Sequence, residues 1–105
     1  MTDLILVLTT VAADDRAESL AHQLVEERLA ACVNLLPPMT SVYRWKGRVE
    51  RDAERQLVIK TTRGRLAALQ SRLGELHGYE LPELIVLSVE AGGEAYLEWA
   101  RQAVQ

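Results

Sequence analysis

Few side chains in this 105-residue chain have types that do chemistry. Cys32 is its one thiol. A thiolate there is a soft donor for Cu(I) or a similar ion. The alternative is a small buried strand residue, because free cysteine packs as a hydrophobe. One thiolate cannot complete a tetrahedral site, so a metal role needs symmetry copies or a nearby histidine. His77, Glu80 and Glu83 follow the pattern His-x2-Glu-x2-Glu, with Tyr79 among them and Gly78 and Pro82 shaping the loop. An imidazole and two carboxylates so gathered are donors for a divalent cation. Equally, His77 complements a helix C-terminus, and the carboxylates are solvated or paired with Lys60 or an arginine. Lys60 stands just before Thr61-Thr62, where free backbone N–H groups at a helix start would favour an anion; an ion pair with Glu80 or Glu83 is the other reading. His22, near Glu26 on a helical stretch, reads as a rim residue. Tyr43, Trp45 and Trp99 read as core or subunit-interface residues, with ligand stacking as the sharper alternative.

Several classes are disfavoured. No Ser-His-Asp order, glycine-rich phosphate loop or HExxH helix is present. A Cys32–His77 nucleophile and base would lack an orienting group and an oxyanion hole. A binding protein is therefore expected rather than an enzyme. The net charge of −3, with basic residues dispersed, argues against a nucleic-acid partner. One cysteine permits neither an internal disulfide nor a multi-cysteine zinc site, which fits a reducing compartment. No signal-peptide pattern is visible, and no apolar run approaches the ~18 residues of a membrane span. A cytoplasmic protein is the expectation, with residues 1–105 forming one domain.

The elements that would position these residues follow from periodicity. Leu4-Ile5-Leu6-Val7-Leu8 reads as a central strand covered on both sides. Residues 14–29 read as a helix, with Asp15 and Glu18 as a capping box and Ala17, Leu20, Ala21, Leu24 and Val25 as its apolar stripe. A second strand begins near Ala31 and bends or bulges at Pro37-Pro38. It continues with Met39, Ser41, Tyr43 and Trp45 on one face. Gly47 turns the chain, and the return strand runs from about Val49 to Thr61. Its charged middle, residues 50–55, is expected to project into solvent or onto a neighbour. Residues 62–76 read as a helix with a threonine N-cap and a stripe of Leu66, Leu69, Leu73 and Leu76. Residues 84–89 read as a buried strand. Glu94 to Val104 closes the chain as a helix with Tyr96, Leu97, Ala100 and Val104 inward. The order is βαββαβ plus a terminal helix. That is an α+β, ferredoxin-like antiparallel sheet with two helices on one face, a short C-terminal helix and a long β2–β3 hairpin. The opposite sheet face would be bare in a monomer, which points to partner coverage.

Five separated segments carry a resemblance across nearly the whole chain: Ala30-Ala31-Cys32-Val33-Asn34 with a following proline, Ser41-Val42-Tyr43-Arg44-Trp45-Lys46-Gly47, Ile59-Lys60-Thr61, His77-Gly78-Tyr79-Glu80-Leu81-Pro82-Glu83, and Tyr96-Leu97-Glu98-Trp99. Together they resemble the CutA family of divalent-cation tolerance proteins. The resemblance implies a tight homotrimer whose long hairpins reach onto neighbouring subunits, an architecture similar to the trimeric PII signalling proteins. It implies tolerance to copper and other divalent cations in bacteria; mammalian relatives are linked to cell-surface anchoring of acetylcholinesterase. His77, Tyr79, Glu80, Pro82 and Glu83 match a family motif in a cleft between subunits. Some relatives have further cysteines that this chain lacks, which weakens a thiolate cluster. Three functional expectations result: copper or another divalent metal at Cys32, His77, Glu80 and Glu83; an organic anion near Lys60, Tyr79 and Glu80; or a structural assembly module.

Overall fold

The computed structural model describes residues 2–105. Its elements are β1 (Leu4–Ala12), α1 (Arg16–Glu26), β2 (Cys32–Leu35), β3 (Met39–Trp45), β4 (Arg48–Thr62), α2 (Leu66–Leu76), β5 (Ile85–Ser88) and α3 (Glu94–Ala103). One five-stranded antiparallel sheet has the order β2-β4-β1-β5, with β3 also pairing β4. The expected α+β fold is present. The single bent strand expected over residues 31–46 is instead two, because Pro37 and Pro38 lack the N–H groups a ladder needs. β2 pairs with the inner end of β4, Cys32 opposite Lys60, and β3 with its outer end, Trp45 opposite Arg48. The long hairpin is therefore β3–β4. It closes through Lys46 and Gly47 with φ of 51° and 79°, the two positive values of a two-residue type I′ turn.

Burial follows the two-residue strand period. Ile5, Val7, Val11, Leu57 and Ile59 form the core with Ala17 and Leu24 of α1 and Leu69 and Leu73 of α2. Leu66 and Leu76 pack against that core, so the expected leucine stripe of α2 is present. Arg72 of α2 grips both carboxylate oxygens of Glu27 at 2.9 Å, which ties the helices together. Guided by β4, β1 runs to Ala12 rather than stopping at Leu8. Two helix starts differ from expectation. Asp15 makes no side-chain cap; Asp14 Oδ1 accepts from the Arg16 amide instead, at 3.0 Å. Thr61 and Thr62 both remain in the ladder, the Thr61 hydroxyl donates to the Leu29 carbonyl rather than capping, and a 3-10 turn over Arg63–Arg65 precedes α2. The first helix ends three residues short of Leu29, where Arg28 adopts φ 60°.

α3 lies across the other face of the sheet, at one end. Ala100 and Val104 bury Leu4 and Ala31 there. Tyr96, expected inward, is half exposed instead. The rest of this face carries an apolar band. Leu6, Leu8 and Val58 are half-buried, and Ile85 and Leu87 are 47% and 44% exposed. The strand expected to be covered on both faces is thus covered on one face and at one end of the other. Its outer continuation, along the hairpin, forms the candidate site.

Candidate functional site

Register determines which side chains meet. The type I′ turn places Tyr43 opposite Glu50, Ser41 opposite Asp52 and Met39 opposite Glu54. Met39, Ser41, Tyr43, Trp45, Asp52, Glu54 and Gln56 therefore share one face, which Thr10 and Ala12 of β1 extend. The loop from Gly78 to Glu83 arches over this surface. Together they enclose a cleft of about 990 Å³.

His77 anchors the loop. β5 pairs with β1 only from Ile5 to Leu8. Beyond it, His77 Nε2 lies 2.8 Å from the Thr10 carbonyl, and the Tyr79 amide donates to His77 Nδ1 at 3.1 Å. A carbonyl only accepts and an amide N–H only donates, so this geometry uses Nε2 as the donor and Nδ1 as the acceptor. The imidazole also packs against the Tyr79 ring, centroids 4.9 Å apart. Both nitrogens are thus engaged within the chain, and metal ligation would require releasing one.

The cleft is acidic, and each of its carboxylates has a protein partner. The Tyr43 hydroxyl donates to Asp52, which pushes the phenol up to about 12, with desolvation adding to the shift. Burial, then a hydrogen bond to Glu54, raises Tyr79 further. Glu54 is only 7% exposed. It was expected to project outward with the rest of the charged stretch; instead the loop and the Tyr79 ring cover it. Gln56 Nε2 donates at 2.9 Å to Glu83 and at 2.9 Å to the Thr9 carbonyl. Glu80 pairs at 3.6 Å with Lys46, whose ammonium lies 5.6 Å from the centre of the Trp45 ring. Among the described residues, no lysine or arginine lines the cleft itself.

The residues singled out from sequence thus divide into separate places. Glu80, Glu83 and Tyr79 line the cleft with Tyr43 and Trp45, and His77 supports it. Lys60 is elsewhere: six residues from Glu54 along β4, ~20 Å at strand rise. There its Nζ lies 3.4 Å from the Tyr96 hydroxyl and 5.7 Å from that ring's centre. It pairs with neither Glu80 nor Glu83. Cys32 is half-buried opposite Lys60, at the inner end of the sheet. Trp99 is 49% exposed beside Tyr96, centroids 5.4 Å apart. His22 is exposed on α1. Among the described residues, no three His, Cys, Asp or Glu side chains are grouped to hold a metal ion. The sequence reading missed Asp52, Glu54, Gln56, Met39 and Thr10 as cleft residues. The signal for three of them was available: a two-residue turn at Lys46-Gly47 puts Met39, Asp52 and Glu54 on the aromatic face.

An open antiparallel sheet, two helices on one face, an apolar band on the other and a hairpin overhanging an acidic cleft define a small α+β class of proteins. The chain matches the family described as CutA1 divalent ion tolerance protein over residues 5–103. It is 46% identical over 96 residues to the divalent-cation tolerance protein CutA of Thermus thermophilus, covering 91% of this chain and 93% of that one. Human protein CutA is 46% identical over 89 residues, covering 85% of this chain; there the match spans only 50% of the relative's length. The crystal structure of CutA from Xylella fastidiosa superposes with a TM-score of 0.95 at 41% identity, covering 99% of this chain and 100% of that one. A structure described as the PII-like protein CutA from Nostoc, in apo form, superposes at 0.90 with 37% identity, covering 96% and 97%. The chain belongs to the CutA1 divalent ion tolerance family. Among the described residues no helix is long and apolar enough to cross a membrane.

Proposed function

We propose that this chain is the subunit of a cytoplasmic homotrimer that binds divalent cations, copper foremost, as part of metal tolerance, and that it acts by binding rather than catalysis. The observation that carries the assembly reading is the band of Leu6, Leu8, Val58, Ile85 and Leu87 on the face opposite α1 and α2. An exposed contiguous apolar surface of this kind favours burial against another chain. The outer edge of β5 and the protruding β3–β4 hairpin offer strand pairing for the same contact. Half-exposed Tyr43 and Trp99 and half-buried Trp45 suit a subunit interface.

Assembly bears directly on metal binding, because among the described residues of one chain no three donors are gathered. Copies of Cys32 from neighbouring subunits would supply soft sulfur for copper. Glu80 and Glu83, with Asp52 and Glu54, supply hard oxygen donors in the cleft. The alternative of a PII-like sensor is favoured by the size of the cleft. An organic anion fits it poorly, since its charged lining is carboxylate and Lys60 lies elsewhere.

Titration with Cu(II) and Zn(II) tests the metal reading, using wild type, Cys32→Ser, Glu80→Gln and Glu83→Gln. Weaker binding in Cys32→Ser or in the glutamate variants is expected. Unchanged affinity in all three refutes the site assignment, and no binding at micromolar metal refutes the activity.

A further inference from the structure

The two strands that share one edge of β4 are not in one continuous register. β2 ends with Leu35 opposite Leu57, and β3 begins with Met39 opposite Glu54. Three residues, Leu36, Pro37 and Pro38, therefore stand opposite two, Arg55 and Gln56, which is a one-residue bulge. The extra residue has a second place to go. Moved to the hairpin tip, it would set Arg44 opposite Arg48 and leave Trp45-Lys46-Gly47 as a three-residue loop, the form that ends on a left-handed glycine. The observed two-residue turn instead holds Lys46 at φ 51°, a position where asparagine, aspartate or glycine is preferred to lysine. At the tip, local backbone preference therefore favours the other register.

The bulge end holds the observed register in two ways. The Leu36 amide donates to the Gln56 carbonyl at 2.9 Å. Antiparallel ladders bond at every second residue, so a ladder continued from that pair would next need the amide of residue 38, and Pro38 has no N–H. Arg55 supplies the attractive half. Its Nε donates to the Leu36 carbonyl at 2.8 Å, and its Nη2 to the Leu35 carbonyl at 3.4 Å. One half-buried guanidinium thus grips both carbonyls on the entry side of the bulge.

A one-residue slip exchanges the two faces of a strand. Tyr43 now lies on the face of Asp52 and Glu54, continuous with the apolar band, and its hydroxyl donates to Asp52. After a slip, Thr40, Val42 and Arg44 would take that face. Tyr43 would move to the reverse face, where Val42 and Val49 are now 67% and 66% exposed, and Trp45 would move into the loop.

We propose that Arg55 is the positioning residue that selects the register of the β3–β4 hairpin, and through it the face on which Tyr43 and Trp45 stand. Its consequence for assembly rests on the homotrimer reading; the register itself does not. Cross-strand NOEs in protein labelled with nitrogen-15 and carbon-13 read the pairing. They link Thr40 with Ala53 and Val42 with Arg51 in the observed register, and Thr40 with Asp52 and Val42 with Glu50 after a slip. NOEs between Val7 and Ile59 check in every variant that the sheet has formed. Arg55→Ala is expected to give a slipped set that the wild type lacks, its share raised about tenfold or more, the scale of one charge-assisted hydrogen bond. Those chains are expected to sediment at a lower mass. Arg55→Lys keeps the charge but not the fork and is expected to fall between the two. A chain lacking Pro38 has no extra residue to place, so there Arg55→Ala is expected to leave the observed pairing unchanged. The proposal is overturned if Arg55→Ala keeps the wild-type pairing, or if it shifts the pairing as strongly in the chain lacking Pro38. Slipped pairing at an unchanged trimer mass would support the register inference and refute the placing of Tyr43 and Trp45 at a subunit interface.

Discussion

Replacing His77 with alanine separates two roles for that residue, loop anchor and metal ligand. The imidazole donates to the Thr10 carbonyl at 2.8 Å and accepts the Tyr79 amide at 3.1 Å. Each hydrogen bond is worth ~1 kcal/mol net, and both partners are part-buried, so leaving them unpaired adds a fraction of the ~1–3 kcal/mol desolvation cost per group. Losing the ring's packing on Tyr79 adds ~0.5 kcal/mol. The expected destabilisation is ~2–4 kcal/mol, which corresponds to roughly 4–8 °C of melting temperature per kcal/mol in a domain of this size. Urea unfolding of both proteins at equal subunit concentration measures it, because assembly makes apparent stability concentration-dependent. Limited proteolysis should cut first within residues 78–83 of the variant. The anchor role further predicts that Cu(II) and Zn(II) affinities fall only as far as the loop loosens. A loss below ~0.5 kcal/mol, together with abolished metal binding, would refute the anchor and identify His77 as a ligand.

Other expected outcomes concern assembly, packing and pH. Leu87→Glu puts a charge into the exposed apolar band and is expected to shift the assembly toward single chains in sedimentation velocity; an unchanged mass would remove that band from the interface. Leu24→Ala empties a fully buried position on the core-facing side of α1. It should cost ~2–5 kcal/mol in chemical unfolding, the range for large-to-small changes in packed cores. Tyr43 is held protonated in the folded chain, with its pKa pushed up to about 12, and Tyr79 is raised as well. A folded value above the ordinary ~10 makes this stabilisation complete below pH 10, and it is lost as pH rises through the folded value. Stability should therefore decline from about pH 10 toward 12. Tyr43→Phe and Tyr79→Phe should flatten that decline, and an unchanged slope in the double variant would contradict the two phenol–carboxylate pairs.

Periodicity and apolar runs made the fold readable, because each helix buries a leucine or alanine stripe while β1 and the inner end of β4 carry short continuous apolar runs. Where tertiary pairing overrides local pattern, the reading fell short. Thr9 to Ala12 lack a strand signature, yet the long β4 gives them partners as far as Glu54. Pro37-Pro38 signalled a break, but only the observed register shows two strands sharing one edge of β4. The site was less legible. His77, Glu80 and Glu83 were visible as a cluster of donor types, but their spacing carries no information about hydrogen bonds. The structure uses the histidine to hold the loop and spreads the acids around a cavity. Glu54 sits in a run of charged residues that reads as solvated. Its burial depends on a loop 25 residues later in the chain, Tyr79 being the residue that covers it. Lys60 is separated from the acids by its place six residues beyond Glu54 along β4, where its ammonium lies beside the Tyr96 hydroxyl of α3.

Native mass spectrometry of the purified protein, with copper added stepwise, addresses assembly and metal binding together. The expected spectrum has a mass three times the chain's 11.7 kDa, and it gains copper in a saturable series that weakens in Cys32→Ser. A species of one chain, or a trimer that takes up no copper beyond adventitious background, would contradict the reading of this chain as a trimeric divalent-cation binder.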